Sequence, residues 1–271
     1  MLFVFGYGAS LFIGVALGLL GGGGGILTVP VLHYLFQMDA DLAIASSLFI
    51  VGITSAIATV GAAKRREVDF RTGVFFALPG FISVALSRRL IVPFIPESFR
   101  AFGLVFSRSS ALMILFAVVM FASALAMLWR SYGTSGGASS PTRRRSQTLN
   151  IVLLGFFVGA LTGLVGTGGG FLVVPALTIL AGLPMKTAIG TSLLVIALNS
   201  TVGVVASLGS SIDFDWSTLL ILTALSLAGM AFGQYLGRFI SDKALKKNFA
   251  WFVFVMAIFI SAKEFIWLFK Q

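Results

Sequence analysis

Two glycine runs are the stretches of this chain best equipped for chemistry, and the chemistry is that of bare backbone. The first is Gly21 to Gly25, followed by Ile26-Leu27-Thr28-Val29-Pro30. The second lies 145 residues on: Gly166-Thr167-Gly168-Gly169-Gly170, followed by Phe171-Leu172-Val173-Val174-Pro175. A glycine inside a helix costs about 1 kcal/mol relative to alanine, so five in a row predict a break. A helix that starts after such a break turns several unpaired N–H groups and the positive end of its dipole toward the gap. That arrangement suits a small anion and needs no buried cation. Half-helices are expected to start at Ile26 and Phe171. The backbone of Gly23, Gly24, Gly25, Gly168, Gly169 and Gly170 is expected to form the centre of the site, because packing alone would need one or two glycines and not a destroyed helix.

Hydroxyl and amide donors would complete the coordination. Ser46, Ser47, Thr191, Ser192, Asn199 and Ser200 lie on the apolar helices that follow each half-helix. Asn199 is a primary amide deep in an apolar span, so it needs either a ligand or an interhelical hydrogen bond. For Thr54 and Ser55 the expectation is back-bonding to their own helix. His33, the only histidine, sits on the first half-helix and is a candidate for proton coupling or for packing. Pro30 and Pro175 close the two motifs and are read as structural. Gly14, Gly18, Gly159 and Gly163 have GxxxG spacing and are read as close helix packing. All nine acidic residues fall in or near predicted loops, which leaves no mid-span carboxylate for a proton relay. The chain has no cysteine, which excludes disulfides, Fe–S clusters and thiolate metal sites, and no metal site or cofactor is expected.

The elements that must position these residues are membrane spans. Of the 271 residues 58% are hydrophobic and 10% charged, and apolar runs of the length needed to cross hydrocarbon recur throughout. The formal net charge of +10 lies in short loops between those runs, a topogenic pattern and not a nucleic-acid groove. The first segment has no basic residue ahead of it and is read as a retained helix. Gly14/Gly159, Gly18/Gly163, Leu32/Leu177, Ala43/Ala188, Ser47/Ser192 and Ser55/Ser200 share the offset of the glycine runs, so the chain is a duplication. The halves are expected at 1–130 and 149–271, joined by a flexible Ser/Gly linker at 131–148. The segment 95–109 reads as an interfacial, amphipathic lead-in.

Basic loops at 64–71, 130–145 and 238–247 predict the cytoplasmic side of a cytoplasmic membrane, and acidic loops at 38–41 and 209–216 the outer side. Corresponding loops then lie on opposite sides. The expected fold is an all-α integral membrane protein with a five-plus-five inverted repeat. The alternative is a four-plus-four parallel repeat, with each broken helix counted once. Paired glycine-interrupted segments in two halves point to a transport site.

The glycine breaks ending in Val29-Pro30 and Val174-Pro175 resemble the TauE/SafE family of sulfite exporters, also called TSUP. So do the helix starts Ala43…Ser46-Ser47-Leu48 and Ala188…Thr191-Ser192-Leu193, and the pair Val68-Asp69-Phe70 and Ile212-Asp213-Phe214. The resemblance covers essentially the whole chain. It implies a secondary transporter of sulfite or a related organosulfur anion, working by alternating access. An anion channel, a non-transporting scaffold and a membrane enzyme are the rival classes, and the lack of a nucleophile–base pair or metal cluster puts the enzyme last. Partners would be the small anion and the lipid bilayer. The aromatic last helix (Trp251, Phe252, Phe254, Phe259) fits a homodimer interface and lipid contact equally well.

Overall fold

The computed structural model describes residues 2–38, 40–87, 98–101, 104–132, 144–165, 170–208 and 215–268. The first half comprises α1 (Leu2–Leu20), α2 (Gly23–Leu35), α3 (Ala40–Lys64), α4 (Phe70–Leu86), strands β1 (Ser98–Ala101) and β2 (Leu104–Ser107), and α5 (Arg108–Tyr132). The second comprises α6 (Arg144–Val165), α7 (Gly170–Pro175) with a π-helical continuation at Ala176–Leu180, α8 (Met185–Leu208), α9 (Trp216–Phe239) and α10 (Asp242–Leu268). Leu42–Lys64, Met185–Val205, Trp216–Phe239 and Asp242–Ala262 are each long and apolar enough to cross a bilayer, and shorter apolar helices accompany them. Phe5, Leu78, Phe157 and Phe259 face outward, while Ser46, Thr59, Thr191 and Ser226 are buried. This is the polarity of a chain whose outer solvent is lipid.

Small residues bring the helices together. Added Cβ atoms on Gly14 and Gly18 would collide with the carbonyls of Ser226 and Met230, and one on Gly229 with that of Leu11. Positions on α1 and α9 therefore rise together, and the two helices run parallel. Gly155 and Gly159 meet the carbonyls of Phe76 and Gly80 in the same way, so α6 runs parallel to α4. By contrast Gly203 lies by Leu48, Gly52 by Ser200 and Gly190 by Ala62, so α3 and α8 are antiparallel.

The starts of α4 and α9 carry side-chain caps. Asp69 caps α4, accepting from the Thr72 amide at 3.0 Å and the Thr72 hydroxyl at 2.6 Å. Asp215 caps α9 through the Thr218 hydroxyl at 2.6 Å and the Ser217 and Thr218 amides at 3.1 and 3.3 Å. The Thr218 hydroxyl and then its amide hold the Asp215 carboxyl below the usual carboxylate range. The partner of Asp69 is thus Asp215 within Phe214-Asp215-Trp216, and not Asp213, which lies outside the described residues. The physical reason is that only Asp215 has a threonine three residues on to close the cap.

Three further expectations change. Gly23–Gly25 do not lie in the break: they form the first turn of α2, which starts at Gly23 and not at Ile26. Likewise α7 starts at Gly170 and not at Phe171. In place of an amphipathic lead-in, β1 and β2 pair antiparallel, with Phe99 opposite Phe106 and Arg100 opposite Val105. Helix also reaches into the expected linker from both sides, to Tyr132 and from Arg144.

Gly229→Ala should lower the thermal unfolding midpoint, costing about 1–3 kcal/mol through displaced backbone. An alanine Cβ at Gly8 meets nothing within 4 Å, so Gly8→Ala should leave the midpoint level or raise it. Equal effects of the two substitutions would contradict the packing of α1 on α9.

Candidate functional site

The site is built around the tip between α1 and α2. Gly21 ends α1, its amide bonded to the Leu17 carbonyl at 2.8 Å. It turns the chain with φ +70°, a conformation open to glycine at little cost. The Gly21 carbonyl accepts a hydrogen bond of 2.9 Å from the Ser192 hydroxyl, which also reaches the Ile189 carbonyl at 2.7 Å. Gly22 is the N-cap residue of α2 and supplies no side-chain hydrogen bond. The first-turn amides of α2 are therefore left without a side-chain cap, unlike those of α4 and α9.

Beside that start is a small cavity of about 30 Å³. Gly22, Gly25 and Val29 reach it from α2 and its cap, Ile44, Ser47, Leu48 and Val51 from α3, Gly170 from α7, and Ile196 and Ser200 from α8. An added Cβ on Gly170 would lie 3.6 Å from the Gly22 carbonyl oxygen, so the starts of α2 and α7 are neighbours. Among the described residues the lining holds hydroxyls, glycine backbone and aliphatic walls, with no charged side chain. Such a surface offers neutral donors and two helix N-termini to a small solute.

A second small cavity, also of about 30 Å³, lies toward the end of the bundle that carries Arg65, Lys186 and Arg238. Gly18, Leu19, Ile189 and Leu193 line its inner part. Arg65 is held by Glu67 at 2.7 Å and by the Gln234 carbonyl oxygen at 3.3 Å, and Gln234 donates to the Ala58 carbonyl at 2.8 Å. Lys186 and Arg238 line the same space with neither a hydrogen bond nor an ion pair to any described residue. Three cations against one carboxylate make this mouth electropositive. Between the two cavities stand the Gly21 tip and Ser192.

The sequence-derived candidates divide. Gly25, Gly170, Ser47 and Ser200 line the first cavity, and Gly23 and Gly24 precede Gly25 in the same turn. Gly168 and Gly169 lie outside the described residues; Ile26 and Phe171 sit in the first turns of α2 and α7. Ser46 is buried and Asn199 half-buried, and neither lines the cavity. Thr191 accepts from the Asp69 amide at 3.0 Å, tying α8 to the start of α4. His33 is exposed near the far end of α2, its Nδ1 at 2.8 Å from the Met38 carbonyl. Pro30 falls inside α2 and Pro175 ends α7, where the π-helical stretch begins. Gly18 packs on α9, and Gly163 lies on α6. Thr54 back-bonds to Ile50 at 2.5 Å as expected, but Ser55 does not: its Oγ is buried without a partner among the described residues. The aliphatic walls carried no signal of their own in the sequence. Gln234, an amide in an apolar span, carried the same signal as Asn199.

A family model described as Sulfite exporter TauE/SafE matches residues 7–260. A probable membrane transporter protein of Xylella fastidiosa strain 9a5c is 30% identical over 263 residues, covering 93% of this chain and 92% of its own. The probable membrane transporter protein YunE of Bacillus subtilis is 30% identical over 273 residues, 94% of each chain. The probable membrane transporter protein MJ0441 of Methanocaldococcus jannaschii is 34% identical over 122 residues, 43% of this chain and 45% of its own. No solved structure matches.

Thr191→Val removes the acceptor of the Asp69 amide. It should cost about 1–3 kcal/mol of stability and speed hydrogen exchange at that amide, with Ser200→Ala as the comparison that leaves exchange there unchanged. Unaltered exchange in Thr191→Val would remove the structural assignment of Thr191.

Proposed function

We propose, on the premise that this chain belongs to the Sulfite exporter TauE/SafE family, that it is a multi-pass carrier of sulfite or a related organosulfur anion. In this reading it works by alternating access in the cytoplasmic membrane. The observation that carries the reading is the start of α2 without a side-chain cap, opening with Gly170 of α7 into a cavity that no charged side chain lines among the described residues. A small oxyanion there would accept from the first-turn amides of Gly23, Gly24 and Gly25, and from the Ser47 and Ser200 hydroxyls. The amides at the start of α7 would face it from the other half.

Alternating access rests on an inverted repeat. The parallel pair α1 and α9 corresponds, with the halves exchanged, to the parallel pair α6 and α4. Gly14 on Ser226 and Gly159 on Gly80 are repeat-related contacts. From the first cavity α2 leads toward the loop with Met38, and α7 leads toward Met185 at the end that carries Lys186. The two half-helices thus run in opposite directions from a common centre. Lys64, Arg65, Arg66, Lys186, Arg238 and Lys243 gather at one end, which the positive-inside rule assigns to the cytoplasm. The second cavity would then be the cytoplasmic vestibule, where Lys186 and Arg238 concentrate anions for delivery to the glycine site. An anion channel built on the same helices is separated by counterflow, which only a carrier supports.

Gly25→Ala tests the site without damaging the fold, because a Cβ there meets nothing within 4 Å and alanine favours the helix. Purified Gly25→Ala should keep or raise the unfolding midpoint yet bind sulfite at least about tenfold more weakly, with Ser47→Ala and Ser200→Ala each losing about five- to tenfold. Undiminished sulfite affinity in all three variants would move the site elsewhere.

A further inference from the structure

The repeat offset relates the residues of the glycine cavity to one another. Gly25 corresponds to Gly170 and Val51 to Ile196, and all four line the cavity. They lie astride the axis that would exchange the two halves. The serines behave differently. Ser47 corresponds to Ser192 and Ser200 to Ser55, and only Ser47 and Ser200 reach the cavity. Their counterparts are shut away: Ser192 is bonded to Gly21 and Ile189, and Ser55 is fully buried with an unpartnered hydroxyl.

Among the described residues Ser55 shares this state only with Ser83 on α4, which lines neither of the two cavities. Ser10, Thr54, Thr59, Thr201 and Thr223 all satisfy their hydroxyls at the carbonyl four residues back. Ser55 has the same opportunity and does not use it. An unpaired hydroxyl in a packed interior is unfavourable unless another state of the protein needs it. Ile189 and Leu193, which correspond to the cavity residues Ile44 and Leu48, already line the inner part of the basic vestibule. Ser55, eight residues after Ser47 on α3, lies two turns further toward the basic end of that helix.

We propose that Ser55, together with Ser192, is the anion contact of the opposite-facing state, where the pair takes over the roles that Ser200 and Ser47 have here. The proposal rests on the carrier reading and deepens it. The present arrangement is then the state whose cavity lies away from the basic end. Conversion breaks the Ser192–Gly21 hydrogen bond, draws the α2 tip off Ser192, and opens Ser55 and Ser192 to the vestibule of Lys186 and Arg238. The anion remains between Gly25 and Gly170 throughout, and changes only its hydroxyl partners.

The test is sided. In vesicles of uniform orientation, Ser55→Ala should raise the KM for sulfite offered on the basic side, relative to the other side, by about tenfold, and Ser200→Ala should shift that ratio the opposite way. The midpoint of Ser55→Ala should not fall, since no hydrogen bond is lost. The chain has no native cysteine, so Ser55→Cys can be labelled cleanly with a membrane-impermeant maleimide. Labelling from the basic side alone is expected. A ratio unchanged in Ser55→Ala with sulfite flux intact, or Ser55→Cys labelled from the other side or not at all, overturns the proposal while the carrier reading stands. If the parent carries no sulfite but Ser55→Cys labels from the basic side, the substrate assignment fails and the two-state role of Ser55 is retained.

Discussion

An amide that begins a helix within hydrocarbon must meet an acceptor from the protein or from a solute, because the surroundings offer none. At the start of α2 no side chain of the cap residue meets that requirement. At the starts of α4 and α9 the chain provides Asp69 and Asp215, each with a threonine that closes the cap. At the start of α2 it provides Gly22, which has nothing to donate or accept beyond its own backbone. The neighbouring groups answer to that gap. Gly21 turns the chain, Ser192 secures the turn, and α7 brings a second start alongside.

Glycine serves two purposes in this protein, and the surroundings of a virtual Cβ separate them. On α1, α6 and α9 the missing atom would strike a carbonyl of the facing helix, so glycine there fixes how closely the helices approach. In a bilayer that approach is stabilised by dispersion and not by expulsion of water, which makes each ångström count. At Gly25 the missing atom would enter open space. The first kind of glycine sets the distance between the scaffold pairs α1/α9 and α4/α6; the second keeps a surface bare between them.

The membrane class and the adjacency of the two helix starts were legible in sequence, because apolar length and repeated glycine breaks are strong, low-resolution signals. Boundaries were less legible. Glycine propensity argued that α2 should begin at Ile26, yet the first turn of a helix contains few intrahelical bonds to lose, so packing against α1 and α3 carries it back to Gly23. The pairing of β1 with β2 was missed because the charged residues of that stretch were weighed as an amphipathic surface, while Phe99, Val105 and Phe106 favour strand. Asp213 and Asp215 look alike in sequence, and only the threonine spacing distinguishes the cap. Asn199 outranked the serines on chemical grounds, but the face of α8 that meets the cavity passes through Ile196 and Ser200. The orphaned hydroxyl of Ser55 had no sequence signature, since its neighbour Thr54 is equally apt to back-bond and does so.

The separation of charge from the central cavity has a physical rationale in the proposed cycle. A cation buried beside the anion would create a low-dielectric pair whose partner, once left behind, sits uncompensated in the interior at a cost of several kcal/mol. Release would then be as unfavourable as capture is favourable. Helix termini contribute about 0.3–1 kcal/mol each in ordinary settings and up to about 2 in partly buried ones, and a hydroxyl donor to a charged group adds about 1.5–3. These increments are large enough to select an anion and small enough to let it go. The formal charges Arg65, Lys186 and Arg238 stand instead at the mouth, where water screens them and Glu67 offsets one. In the proposed cycle they would raise the local concentration of anions without adding to the barrier for passage, and the interior would be left to discriminate by size and by the geometry of its amides.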